Sequence, residues 1–83
     1  MPYITQKRRD ELEACMIDSE MKVAGELNYK ITLLLIEYVQ EHGLSYQIIN
    51  DIVGALECSK QEFYRRVAVP YEDTKQHSNG DVY

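Results

Sequence analysis

The sequence predicts a small all-α protein with three helices and a polar C-terminal tail. Apolar residues recur every three or four positions in three successive segments, which is the spacing of one face of an α-helix. Gly43 separates the second segment from the third, and Pro70 follows the third. We therefore expect helices over about residues 6–24, 26–42 and 46–69. They would form a helical domain of residues 1–70, followed by a tail of residues 71–83.

The first predicted helix begins after Thr5, whose hydroxyl can accept a hydrogen bond from a free amide of the first turn. Two apolar stripes follow it, which indicates contacts on more than one side. The first stripe contains Leu12, Met16 and Val23, and the second contains Ile17, Met21 and Ala24. Gly25 is expected to end or kink this helix.

The second predicted helix is apolar around most of its circumference. Its main stripe consists of Leu27, Ile31, Leu34, Leu35, Tyr38 and Val39, and Leu33 and Ile36 fill much of the remainder. A helix that is apolar on nearly all sides is expected to be buried on nearly all sides. Two neighbouring helices of one short chain could hardly cover it. We therefore expect a homo-oligomer, with Leu33, Ile36 and Tyr38 at its interface.

The third predicted helix follows Ser45, a second N-cap residue. One apolar stripe continues from Ile49 to Val67, which favours a single long helix. The alternative is a new helix that starts at a capping box formed by Ser59 and Glu62. In both cases Pro70 is expected to end the helix, and the polar residues after it are expected to form the tail.

Charge and cysteine content limit the class of protein. The net charge is −5, which disfavours nonspecific binding to duplex DNA, and no apolar run reaches the roughly 20 residues that cross a bilayer. Cys15 and Cys58 do not form a Cys-x-x-Cys pair, and the N-terminus lacks the apolar segment of a signal peptide. We therefore expect free thiols and a cytoplasmic protein without a membrane association.

Patterns typical of catalysis and metal binding are missing from the sequence. The two histidines and two cysteines are scattered, without the spacing of a zinc site. No nucleophile elbow or phosphate-binding loop is present. We expect no catalytic residue, no metal and no cofactor, and therefore a protein that is not an enzyme.

Arginine and tyrosine are concentrated in two regions. The candidate ligand-binding residues are Tyr64, Arg65, Arg66 and Tyr71 near the end of the third helix, and Arg8 and Arg9 near the start of the first. Arginine can hold a phosphate with two hydrogen bonds and tyrosine can stack on a base, so a pocket for a small nucleotide would result if the two regions met. Alternatively, the arginines form surface ion pairs and complement a helix dipole, and the tyrosines pack in a core or interface.

A DNA-binding regulator is a weaker hypothesis. A turn at residues 58–59 would place Lys60, Gln61, Tyr64 and Arg65 on a recognition helix. The acidic composition and the lack of a glycine at this turn disfavour it.

Several segments distributed over nearly the whole chain resemble a family of small uncharacterised proteins from phages and prokaryotes. These segments are Met-Pro-Tyr-Ile-Thr-Gln (1–6), Gly-Glu-Leu-Asn-Tyr (25–29), Glu-Phe-Tyr-Arg-Arg-Val (62–67), Pro-Tyr-Glu-Asp (70–73) and Asn-Gly-Asp-Val-Tyr (79–83). The resemblance implies a phage or microbial source and, for a phage protein, the host cytoplasm. It implies no reaction. The leading hypothesis is an accessory protein that acts by binding as a helical homo-oligomer, to a host protein or, alternatively, to a small nucleotide.

Overall fold

A computed structural model describes residues 2–16 and 19–83 of the chain, and those residues form helices and no strands. The helices are α1 (Gln6–Ala14), α2 (Ala24–His42), α3 (Tyr46–Phe63) and α4 (Val69–Asn79), with a π-helical turn (Tyr64–Ala68) between the last two. Because α3, the π-helical turn and α4 follow one another without a break, they form one helical run. The all-α prediction with three helical segments is therefore confirmed.

The first helix is shorter than the sequence pattern predicts. Thr5 caps it as expected, since its Oγ1 accepts a hydrogen bond from the amide of Arg8 (3.3 Å). Helix α1 ends at Ala14, and residues 19–23 are not helical, so the extension to residue 24 is wrong. The carbonyl of Ser19 instead accepts a hydrogen bond from Lys30 Nζ (2.6 Å), a contact between residues far apart in sequence. Ile17, which the second apolar stripe included, lies outside the described residues.

Helix α2 begins two residues earlier than predicted. Gly25 belongs to its first turn and does not end the preceding helix, because its φ is not positive as a C-terminal cap would require. The Glu26 carboxylate accepts a hydrogen bond from the amide of Lys22 (3.4 Å), which stabilises this start. The other end is as predicted: Gly43 has φ +80° and its amide donates to the carbonyl of Val39 at 2.8 Å.

Helix α3 begins at a Ser45 cap, as predicted, with Ser45 Oγ accepting from the amide of Ile48 at 3.2 Å. It continues without a break past Ser59, which confirms one long helix and rules out the start of a new helix there. Residues 58–59 are helical, so the structure lacks the turn that a helix-turn-helix would need there, and that prediction is wrong as well.

Pro70 does not end the helix, contrary to the sequence-based prediction. In a regular α-helix its ring would clash with the carbonyl four residues earlier, and its missing N–H would leave that carbonyl unpaired. The π-helical turn lies directly before it, and there the amide of Val69 donates to the carbonyl of Tyr64, five residues back. This wider turn accommodates the ring, and Pro70 then occupies the first turn of α4, where proline is tolerated. Residues 71–79, assigned to the tail from sequence, are consequently helical.

The chain divides into two compact units, Pro2–Ile52 and Val53–Tyr83. In the described parts of both units no residue is buried, and the best-covered side chains are only half-buried. Cys15 and Cys58 are both free thiols, the first exposed and the second half-buried. No helix in the described residues combines the length and apolar character that crossing a membrane requires.

Candidate functional site

In the unit Val53–Tyr83, two of the candidate ligand-binding residues make hydrogen bonds to carboxylates of their own helical run. Arg65 Nη2 lies 3.1 Å from both carboxylate oxygens of Glu62, one helical turn earlier. Tyr64 Oη donates a hydrogen bond to Glu72 Oε1 at 3.1 Å, across the π-helical turn. A phosphate bound by Arg65 would have to displace Glu62, and it would meet the negative charge of both glutamates.

The Glu72 carboxylate also affects the ionisation of Tyr64. It accepts the phenolic hydrogen bond and carries a negative charge, and both effects disfavour the phenolate, so the pKa of Tyr64 is raised above its usual value. Tyr64 therefore stays protonated in the physiological range. At this position it is a hydrogen-bond donor that joins the π-helical turn to α4.

The other two candidates in this unit, Arg66 and Tyr71, have different surroundings. Arg66 is exposed and makes no ion pair with any residue that the structure describes. The ammonium of Lys75 lies 5.5 Å from the centre of the Tyr71 ring, a cation–π contact within α4. The face of Tyr71 that could stack on a base is therefore already occupied on one side by a lysine.

The second predicted cluster, Arg8 and Arg9, belongs to the unit Pro2–Ile52 and lies on α1. Arg8 Nη1 forms a 2.9 Å ion pair with Glu11 Oε2, one turn later on the same helix. Both partners are exposed, so the pair contributes little to stability. The sequence predicts surface ion pairs for Arg8, and Glu11 is among the partners expected there. Glu62 and Glu72 are the partners that were not predicted for Arg65 and Tyr64. Their spacing of three or eight residues from the basic or phenolic partner is the available signal.

An open cleft is present in each unit. A cleft of about 430 Å³ at the start of α2 is mainly apolar, with Met21, Val23 and Tyr29 in its wall. A cleft of about 350 Å³ beside the end of α4 has three acidic side chains and one basic one, from Glu72, Asp73, Asp81 and Lys75. This charge balance is unsuitable for a nucleotide phosphate. Within residues 2–16 and 19–83, no group of three or more His, Cys, Asp or Glu side chains, these acidic ones included, is arranged to hold a metal ion.

In the unit Pro2–Ile52, α2 exposes several large apolar side chains. The three predicted interface residues are exposed: Leu33 at 46%, Ile36 at 48% and Tyr38 at 37%. The Tyr38 ring also contacts the His42 ring, with 4.3 Å between ring centres. Leu27 and Leu34 add further exposed apolar area to the same helix. These five side chains are distributed around the helix, so apolar area is exposed on more than one side of α2.

Comparison with known proteins gives the family of this chain and no relative of known activity. No curated protein and no solved structure shows a significant match. The model of one family, described as a domain of unknown function, DUF6899, matches residues 1–82. Because the match covers nearly every position, the chain belongs to the DUF6899 family.

Proposed function

We propose that this protein is a non-enzymatic accessory protein, of phage or microbial origin, that acts by binding as a helical homo-oligomer in the cytoplasm. The copies would meet through α2, with Leu33 and Ile36 in the interface. Tyr38, the third predicted interface residue, lies about 200° around the helix from Ile36 and is outside this contact. The observation that carries the proposal is the exposure of Leu33 and Ile36 in a chain whose described residues include none that is buried.

Leucine and isoleucine side chains that remain in water make no contribution to stability from burial. Burying one such side chain stabilises a protein or a complex by about 1.5–3 kcal/mol. Within the unit Pro2–Ile52, six large apolar side chains on α2 have between 37% and 64% of their surface exposed: Leu27, Tyr29, Leu33, Leu34, Ile36 and Tyr38. A short chain that lacks a closed core commonly gains its stability from a second subunit. Association through α2 would supply the burial that the described residues do not provide for one another.

The oligomeric state of the purified chain tests this proposal. We expect a mass at least twice that of the 9.7 kDa chain by light scattering coupled to size-exclusion chromatography at micromolar concentration. We also expect the unfolding temperature to rise with protein concentration, because association stabilises only the folded form. A monomer at all accessible concentrations, with a concentration-independent unfolding temperature, would contradict the proposal.

A second candidate function, sequestration of a small nucleotide, is supported by Arg66. Its guanidinium is exposed and has no carboxylate partner among the described residues, and it follows Tyr64 and Arg65 directly in sequence. A free guanidinium can bind a phosphate with two hydrogen bonds. For this function Arg65 would exchange Glu62 for the phosphate, and Tyr71 or Tyr64 would supply a ring for stacking.

A thermal-shift screen of mono-, di- and cyclic nucleotides tests this second function. Binding at a ligand concentration of 100 Kd stabilises the folded form by about 2.7 kcal/mol, which is a shift of several degrees in a small domain. We expect Arg66→Ala to abolish the shift. Lys22→Ala, which removes an exposed cation outside the candidate ligand-binding residues, serves as the control for nonspecific attraction. If no nucleotide stabilises the wild-type chain, sequestration is excluded.

A further inference from the structure

We propose that the second copy packs against α2 in the antiparallel direction, so that Lys30 of each copy pairs with Glu37 of the other. The inference rests on the proposed function, since it specifies how two copies of the chain meet.

The apolar block of α2 is bounded by opposite charges. Residues 31–36 contain five large aliphatic side chains and one threonine, with Lys30 directly before them and Glu37 directly after them. The threonine does not disturb the block, because Thr32 Oγ1 donates a hydrogen bond to the carbonyl of Asn28 at 2.9 Å within the helix. Two antiparallel copies centred on this block bring Lys30 of one to the same level as Glu37 of the other, at both ends.

The spacing of the two charges also places them on the same side of the helix. Lys30 and Glu37 are seven residues apart, which is two turns, so they occupy the same position of successive heptads. When two copies of a helix pack antiparallel around a two-fold axis, positions that flank the same side of the shared apolar strip face one another. Opposite charges at one such position are therefore complementary in the antiparallel pair. In a parallel pair aligned in register, each would face a residue on the other flank of the strip, five residues earlier, so Lys30 would face Gly25 and Glu37 would face Thr32. Neither charge would then meet an opposite one.

An exposed apolar strip lies beside this charged position. Tyr29, Leu33 and Ile36 follow a spacing of four and then three residues, which keeps them on one side of α2. Tyr29 is 61% exposed, and Leu33 and Ile36 are about half-exposed. In the antiparallel register, the six side chains of the two copies alternate along the contact in the order 29, 36, 33, 33, 36, 29. Tyr38 lies about 200° around the helix from Ile36 and faces away from this strip.

Both charged groups are available for a partner. Glu37 is exposed and has no hydrogen bond or ion pair to any residue within 2–16 and 19–83. The Lys30 ammonium donates to the carbonyl of Ser19 at 2.6 Å, which uses one of its three hydrogens and leaves its charge without a counter-ion on the described chain. The same register brings Glu26 and Glu41 to one level at the outer ends, where both are exposed and solvent screens their repulsion.

Charge reversal at the two positions tests the direction of packing. The dissociation constants of wild type, Lys30→Glu, Glu37→Lys and the double variant are measured by analytical ultracentrifugation in 50 mM salt. Each single reversal places two like-charged pairs in the interface and is expected to weaken association about tenfold or more. The double variant restores both attractions and is expected to return to within about threefold of wild type.

The controls separate this inference from the proposal on which it rests. Lys7→Glu makes the same charge change on α1 and is expected to leave association within about twofold of wild type. Glu37→Lys removes no contact within the described chain, so its effect does not depend on the Ser19 hydrogen bond of Lys30. A monomeric wild type overturns both the proposed function and the pairing. An oligomeric wild type whose single variants behave like Lys7→Glu, or whose double variant is not restored, overturns the antiparallel pairing alone.

Discussion

Replacing Leu33 with lysine is expected to convert the oligomer into a monomer. Leu33 is 46% exposed on α2, at the centre of the apolar strip through which we propose that two copies meet. The substitution removes one leucine from each side of the contact and adds a charge that would have to lose its water. Because the contact loses one buried leucine from each of the two copies, the association is expected to be at least 100-fold weaker. The change is measured by sedimentation equilibrium, as the dissociation constant of the variant relative to wild type.

The matched control for this prediction is Leu44→Lys. Leu44 is a leucine between α2 and α3 that is 74% exposed, so lysine there makes the same chemical change outside the proposed contact. We expect this control to associate like wild type and to have the same helix content by circular dichroism. Equal weakening by both variants would mean that the effect comes from general surface hydrophobicity, and the α2 interface would then be rejected.

Replacing Gly43 with alanine is expected to destabilise the protein by about 1–3 kcal/mol. Gly43 follows α2 with φ +80° and ψ 155°, a backbone conformation that is nearly exclusive to glycine because a Cβ would clash with the local backbone. No other atom lies within 4 Å of the position that a Cβ would occupy, so the cost arises from the backbone conformation and not from packing. Urea unfolding, followed by helical circular dichroism at fixed protein concentration, gives the change in the free energy of unfolding.

Gly25→Ala makes the same chemical change and is expected to have the opposite effect on the free energy of unfolding. Gly25 lies in the first turn of α2 with an ordinary helical backbone, and space is open around it. Alanine is favoured over glycine in a helix by up to about 1 kcal/mol, so we expect a small gain in stability. If both variants lost stability equally, the positive φ of Gly43 would not be the cause, and the described end of α2 would be contradicted.

Interactions within a few residues of sequence were sufficient to predict much of this fold. The caps at Thr5 and Ser45 and the end of α2 at Gly43 depend on side chains and backbone conformations within one helical turn, and the structure has all three. The apolar spacing of α2 and α3 likewise predicts two helices near their observed positions. The surroundings of the candidate site were harder to predict from the sequence. The carboxylates beside Arg65 and Tyr64 belong to glutamates that no binding motif distinguishes.

The amino-acid sequence by itself determined that this protein is helical, where α2 ends and where α1 and α3 begin, because these properties depend on local hydrogen bonds and apolar spacing. The three-dimensional structure decided what happens at Ser19 and Pro70. Ser19 bonds to Lys30, eleven residues away, in a segment where the pattern predicts helix. Pro70 continues a helical run because a π-helical turn before it removes the clash that proline causes in a regular helix. The hydrogen bond between Lys30 and Ser19 and the width of the helical turn before Pro70 are both set by the folded backbone. The spacing of apolar residues in the sequence does not determine either of them.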